Sequence, residues 1–203
     1  RVAQQLQACG YYRLSAYWLP FALPCSPGTT RTKEFREGTS FDEILALYTF
    51  DRELRQLTLK CLEVVEIAVR AAWVHHFTLC TKKNAHAYLD AKCFRNRGKT
   101  HKELVVKLES SIRYGREKFI GHYFSKYTEP RLPPLWAVAE TMSFGEFSKW
   151  FSATANPRIK DAVARSVGVK TGGLLEGVLH SLTRVRNICA HHSRLWNRKF
   201  SKR

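Results

Sequence analysis

Ser40-Phe41-Asp42-Glu43-Ile44-Leu45-Ala46-Leu47-Tyr48 opens the stretch that decides the fold, residues 40–79. Ser40 and Glu43 have the spacing of a capping box, in which the hydroxyl accepts from the Glu43 amide and the Glu43 carboxylate reaches back. Behind them Phe41, Ile44, Leu45, Tyr48, Leu54, Leu57, Cys61, Val64, Ala68 and Ala72 recur at steps of mainly three and four, which is one face of a helix. Neither Gly nor Pro occurs from Thr39 to Lys83 to stop it. The charged residues of this segment are Asp42, Glu43, Asp51, Glu53, Glu63 and Glu66 against Arg52, Arg55, Lys60 and Arg70, a balance of 4 − 6 = −2. Glu63 and Glu66 lie one turn apart. They read either as partners for arginines on neighbouring helices or as paired carboxylates for a metal or for acid–base work.

Outward from this helix the pattern stays helical. Residues 1–24 read as a helix with an aromatic end, Tyr11, Tyr12, Tyr17 and Trp18 among it, limited by Pro20 and Pro24; this set reads as packed core with Arg13 paired to a carboxylate, or Arg13 and the aromatics as RNA-stacking groups. Residues 25–38 read as a basic loop built on Pro27-Gly28-Thr29-Thr30. Leu104, Val105, Leu108, Ser111 and Ile112 mark a further helix, and a proline-rich turn, Pro130 to Pro134, leads to a short one from Leu135 to Thr141. Ser143 and Glu146 make a second capping box. Asn156-Pro157 reads as N-cap and first position of a helix that stops at Gly168. Gly172-Gly173 then separates off a last helix, read from about Leu174 through the stretch Arg184 to Arg198, with the apolar stripe Leu175, Val178, Leu179, Leu182, Val185 and Cys189. No segment alternates with period two. The class is therefore all-α, and the 203 residues are read as a single domain. Because Arg1 stands first, the N-terminal segment is expected to be truncated.

The charge narrows the function. Lys and Arg number 34 against 17 Asp and Glu, giving +17 at pH 7. Such an excess repels itself in a compact chain and favours a polyanionic partner. Between Lys92 and Lys126 there are ten Lys or Arg and three Glu, with Arg113, Arg116 and Lys118 near the end of a helix and Tyr114, Phe119, Tyr123, Phe124 and Tyr127 between the charges. Aromatics beside cations suit stacked single-stranded nucleic acid, and equally a solvated basic face over a small aromatic core. Six cysteines, none in a Cys-x-x-Cys pair, read as reduced core thiols of a cytoplasmic protein rather than as metal ligands. No run of eighteen apolar residues is present, which excludes a transmembrane helix, and no basic amphipathic helix is left free for lipid.

The chemistry gathers near the end of the chain, from Arg184 to Arg198. This stretch holds Arg184, Arg186, Arg194 and Arg198, Asn187 and Asn197, His191 and His192, and Trp196, with no acid among them. An imidazole moves a proton near neutral pH, and a guanidinium holds a phosphate through a planar fork of donors. On one straight helix, at ~100° per residue and with Leu182 as the buried centre, Arg186 lies ~40° off centre, His191 ~180° away and His192 at about −80°. Arg186 and His191 then meet only through a long side chain, a bend, or a second copy of the chain. The histidines read as catalytic or as packed interface groups with equal ease.

Several segments, in order, resemble the Abi-like family of abortive-infection proteins (the AbiD/AbiF type) within the HEPN superfamily. They are Gly10 to Trp18, Tyr48 to Arg55, Leu62 to Ile67, Pro134-Leu135-Trp136, Ser143-Phe144-Gly145, and Arg186 to Arg198. The HEPN signature is an arginine, usually a polar residue after it, and a histidine four to six positions beyond. Arg186, Asn187 and His191 fit the four-residue spacing, as in the RNA-guided RNases of CRISPR systems, and His192 fits the five. The resemblance implies a HEPN-like helical bundle with additional helices, and metal-independent cleavage of single-stranded RNA in a homodimer that joins two motifs. Arg186, Asn187, His191 and His192 would be catalytic. Arg184, Arg194, Trp196, Arg198, Arg113, Arg116 and Lys118 would hold RNA. No cofactor and no metal is implied. Partners would be single-stranded or structured non-coding RNA and an antitoxin, with no membrane. The alternative is a non-catalytic module that holds such an RNA.

Overall fold

A computed structural model of the chain describes residues 2–23, 34–95, 101–115 and 117–200. Among these residues the elements are helical: α1 Val2–Cys9, α2 Tyr11–Trp18, α3 Phe41–Cys80, α4 His101–Tyr114, α5 Lys118–Lys126, α6 Leu135–Thr141, α7 Phe144–Ala153, α8 Pro157–Ser166 and α9 Gly172–Ala190. Three short 3₁₀ turns and two isolated bridges, Ala22 with Phe35 and Phe94 with Thr154, complete the described backbone. The all-α class holds. The chain divides into two compact units, one of residues Arg1–Lys60 with Arg186–Arg203, the other Cys61–Val185.

The caps behave as their chemistry requires. Ser40 Oγ accepts from the Glu43 amide at 3.2 Å, and the Glu43 carboxylate accepts from the Ser40 amide at 2.8 Å. Ser143 and Glu146 repeat this box at the start of α7. Asn156 caps α8 by accepting from the Arg158 amide, with Pro157 at the first position. Gly168, at φ 75°, ends the turn after α8 as a left-handed glycine does.

Three boundaries differ from the sequence reading. The single helix of residues 1–24 is two, because Gly10 at φ 81° breaks it between α1 and α2. The last helix begins at Gly172 rather than Leu174, and the glycine there is required. A Cβ at Gly172 would sit 2.4 Å from the Lys160 Cβ and 2.7 Å from its backbone carbon, so this is the close approach of α8 to α9. The same helix stops at Ala190, short of the motif's end. The turn at residues 27–30 lies outside the described residues.

Unit Cys61–Val185 has an aromatic core. Trp73 is fully buried and packs against Phe77 at 5.3 Å and Phe147 at 5.8 Å, while Phe94 meets Trp150 at 5.2 Å. The Trp73 indole donates to the Thr154 hydroxyl at 3.1 Å. Lys160, also buried, pairs with Glu176, which accepts from Ser152 at 2.6 Å. Burial works to raise the Glu176 carboxyl, but the bonds from Lys160 and Ser152 outweigh it and hold it below its usual value.

The acidic pair on α3 separates into two ordinary roles. Glu66 accepts from Arg70 at 2.7 Å, four residues along the same helix rather than from a neighbouring one. Glu63 is exposed. The thiols also depart from expectation: Cys61 and Cys80 are exposed, and of the described free cysteines Cys189 alone is buried. Cys25 lies outside the described residues.

Candidate functional site

The motif sits where α9 ends. Arg186 and Asn187 lie in its last turn, Arg186 half-buried and Asn187 exposed. The helical ladder continues one step past Ala190, the His191 amide donating to the Asn187 carbonyl at 3.0 Å. Then the backbone reverses. The His192 amide donates to the Cys189 carbonyl at 3.1 Å and the Ser193 amide to the Ile188 carbonyl at 2.9 Å. These two bonds define a Schellman motif, whose left-handed position is usually glycine. Here it is His192, at φ 54°. Both imidazoles are exposed. Hence Asn187 and His191 share the helix end, whereas His192 has left the helix, and its projection on a straight helix does not apply.

Three hydrogen-bonded anchors hold the chain beyond the turn, all within unit Arg1–Lys60 with Arg186–Arg203. Arg13 Nη1 donates to the His192 carbonyl at 2.6 Å. Arg13 is therefore matched to a carbonyl on the motif, not to a carboxylate. Arg194 Nη1 donates to the Ala16 carbonyl at 2.7 Å. The Leu195 and Trp196 amides donate to Asp51 Oδ1 at 3.1 and 2.6 Å.

Asp51 is fully buried, and its charge is offset locally. Arg55, one turn along α3 and itself buried, pairs with the carboxylate, and the Tyr17 hydroxyl donates to it at 2.5 Å. Burial, and then the bond to Asp51, pushes the Tyr17 hydroxyl up to about 12. Tyr17 therefore stays protonated and remains a donor across the physiological range. Burial raises the Cys189 thiol as well, so it is no reactive thiolate.

The other predicted residues distribute as follows. Trp196 is half-buried, and Arg198 is exposed, with Nη1 donating to the Arg194 carbonyl at 3.4 Å. Arg184 is half-buried and belongs to unit Cys61–Val185. So do Arg113, exposed and paired with Glu109 at 3.0 Å, and Lys118, the exposed first residue of α5. Arg116 lies outside the described residues. Within the same unit, Phe119, His122, Tyr123, Tyr127 and Trp136 line a groove of about 410 Å³.

Tyr17, Asp51 and Arg55 are not among the candidate site residues, and Arg13 is one only as a stacking group. Their signals are that they fall in the family-like segments Gly10 to Trp18 and Tyr48 to Arg55, and that Asp51 stands four residues before Arg55, a pattern that on a long helix usually means an exposed pair. Among the described residues no group of three or more His, Cys, Asp or Glu is placed to hold a metal ion, and no helix is long and apolar enough to cross a membrane.

An all-α protein with a basic Arg-Asn…His-His motif at a helix end, tied down by a buried aspartate, is the class these features define. The model of the Abi-like protein family matches residues 4–197, which takes in α2, the Asp51 turn of α3 and the motif as far as Asn197. The chain belongs to the Abi-like family, which points to abortive infection. Curated proteins and solved structures yield no match.

Proposed function

We propose that this Abi-like protein is a metal-independent endoribonuclease of the HEPN type. It would act in the cytoplasm as an anti-phage abortive-infection effector, on single-stranded RNA. The observation that carries the reading is the helix end itself. Two exposed imidazoles follow Asn187 and the half-buried Arg186 at this helix end, in a chain of charge +17.

In this reading His191 takes the proton from a ribose 2′-OH or gives one to the leaving 5′-oxygen. The 2′-oxygen attacks phosphorus, the bond to the 5′-oxygen breaks, and a 2′,3′-cyclic phosphate and a 5′-hydroxyl result. Arg186 steadies the charge that grows on the phosphate oxygens. Asn187 orients His191 or the phosphate, His192 supplies the second proton-transfer group, and Arg184, Arg198 and Trp196 hold RNA. DNA lacks the internal nucleophile.

Two motifs would form the composite site in a homodimer. A surface available for a second copy is the exposed apolar run Cys61, Val64, Ile67 and Ala68 on α3, where Val64 is 68% and Ile67 57% exposed. At helical spacing these side chains share one flank. Val64→Glu is expected to shift a dimer to monomers in sedimentation at micromolar concentration; an unchanged mass would remove this flank from the interface.

The test of the activity is a labelled single-stranded RNA and a DNA of the same sequence, each incubated with the protein in chelator. The RNA is expected to be cut and the DNA left intact. Equal stability of both would reject the reading. The second reading, a non-catalytic module holding a structured RNA or answering to an antitoxin, draws on the aromatic groove of Phe119, Tyr123 and Trp136. It predicts salt-sensitive RNA binding without product.

A further inference from the structure

We infer that Arg13 and Asp51 are positioning residues for the proposed cleavage site, holding segment 191–196 so that the two imidazoles are aimed outward. The inference rests on the reading of that site as an RNase centre, and it adds a clamp that neither the motif nor its spacing contains.

The starting point is His192 at φ 54°. A left-handed backbone strains a residue with a Cβ, and glycine would avoid that strain. A histidine kept in such a place needs surroundings that over-determine its conformation. Three separate sets of bonds supply them. The Schellman pair fixes the amides of His192 and Ser193. The Arg13 guanidinium takes the His192 carbonyl at 2.6 Å, a charge-assisted bond to the very peptide that carries the imidazole. Three residues on, the Asp51 carboxylate draws in the Leu195 and Trp196 amides.

Asp51 has no share in an apolar core. Its partners are Tyr17, Arg55 and the two amides of the segment. A fully buried carboxylate is costly to desolvate, and this one is directed at the backbone that follows the histidines. The clamp thus runs from α2 and α3 onto the turn, and touches the backbone of the site rather than any substrate.

Arg13 is the clean position to test, since its side chain is exposed and its removal leaves no cavity. With Arg13→Ala, kcat for RNA cleavage is expected to fall about tenfold to ~100-fold through misplacement of the imidazoles. KM and the melting midpoint should stay as in wild type. Arg13→Lys, which keeps a donor, should recover part of the loss. Amide hydrogen exchange at Ser193, Leu195 and Trp196 should speed up in Arg13→Ala and in Asp51→Asn. An Arg13→Ala protein with wild-type kcat and wild-type exchange would overturn the clamp and leave the cleavage reading standing. A wild-type protein that cuts no RNA, with exchange that quickens in the variants, would overturn the cleavage reading and leave the clamp standing.

Discussion

On the proposed reading, alanine at His191 is expected to lower the rate of RNA cleavage by about 10²–10⁴-fold, the contribution of a positioned proton-transfer group. Alanine at Arg186 costs roughly 10²-fold or more, because charge developing on the phosphate loses its partner. Both losses should appear in kcat more than in KM, since neither group is asked to bind the ground state more than the transition state. His192 calls for a different substitution. Alanine there would remove the imidazole and leave the strain of a left-handed Cβ at φ 54°, whereas His192→Gly removes the imidazole and suits the turn. The loss is expected to be smaller for His192→Gly than for His191→Ala. Single-turnover cleavage of a labelled RNA measures all three. Full activity of both Arg186→Ala and His191→Ala would end the catalytic assignment.

The largest effect on stability belongs to Trp73. It is fully buried, and its ring touches those of Phe77 and Phe147. Its hydrogen bond matters less, because Thr154 Oγ1 also donates to the Trp150 carbonyl at 3.0 Å and keeps that partner when the indole is gone. The cost of Trp73→Ala is then mainly a cavity, about 3–5 kcal/mol. For a chain of this size, ~3 °C per kcal/mol puts the fall in Tm at roughly 10 °C. Trp136, 54% exposed, is the internal control. Its replacement by alanine should move the midpoint by about a degree. A thermal melt followed by circular dichroism compares them, and equal shifts would contradict the core assigned to unit Cys61–Val185.

Much of the architecture was legible because its signals are local. The capping boxes at Ser40 and Ser143 and the Asn156-Pro157 start each depend on residues within one turn, and each forms as its chemistry requires. The run of α3 was legible because nothing between Thr39 and Lys83 interrupts it. The helix of residues 118–126 is not legible from its aromatics, which suit base stacking or a small core as well as a helix face burying Ile120.

The site was only half legible. Composition and spacing pick out Arg186, Asn187 and the two histidines. They do not show that the helix stops at Ala190, because the stop uses a histidine where glycine is usual. Nor do they single out Asp51, whose role depends on partners 34 and 144 residues away in the chain, Tyr17 and Leu195. Long-range polar contacts of that kind have no periodicity to read. Tyr11 and Tyr12 make the same point in reverse. They read as part of a packed aromatic set, yet they are 63% and 90% exposed, while Tyr17 on the same helix is buried.

The central claim, attack by the 2′-oxygen at a site built on Arg186 and His191, is tested most directly by the ends of the cleaved RNA. Mass spectrometry of products formed in chelator is expected to find 2′,3′-cyclic phosphates paired with 5′-hydroxyls, and no cut at a position carrying a single 2′-deoxy sugar. Products with 5′-phosphates, or cutting that proceeds at the 2′-deoxy position, would contradict it.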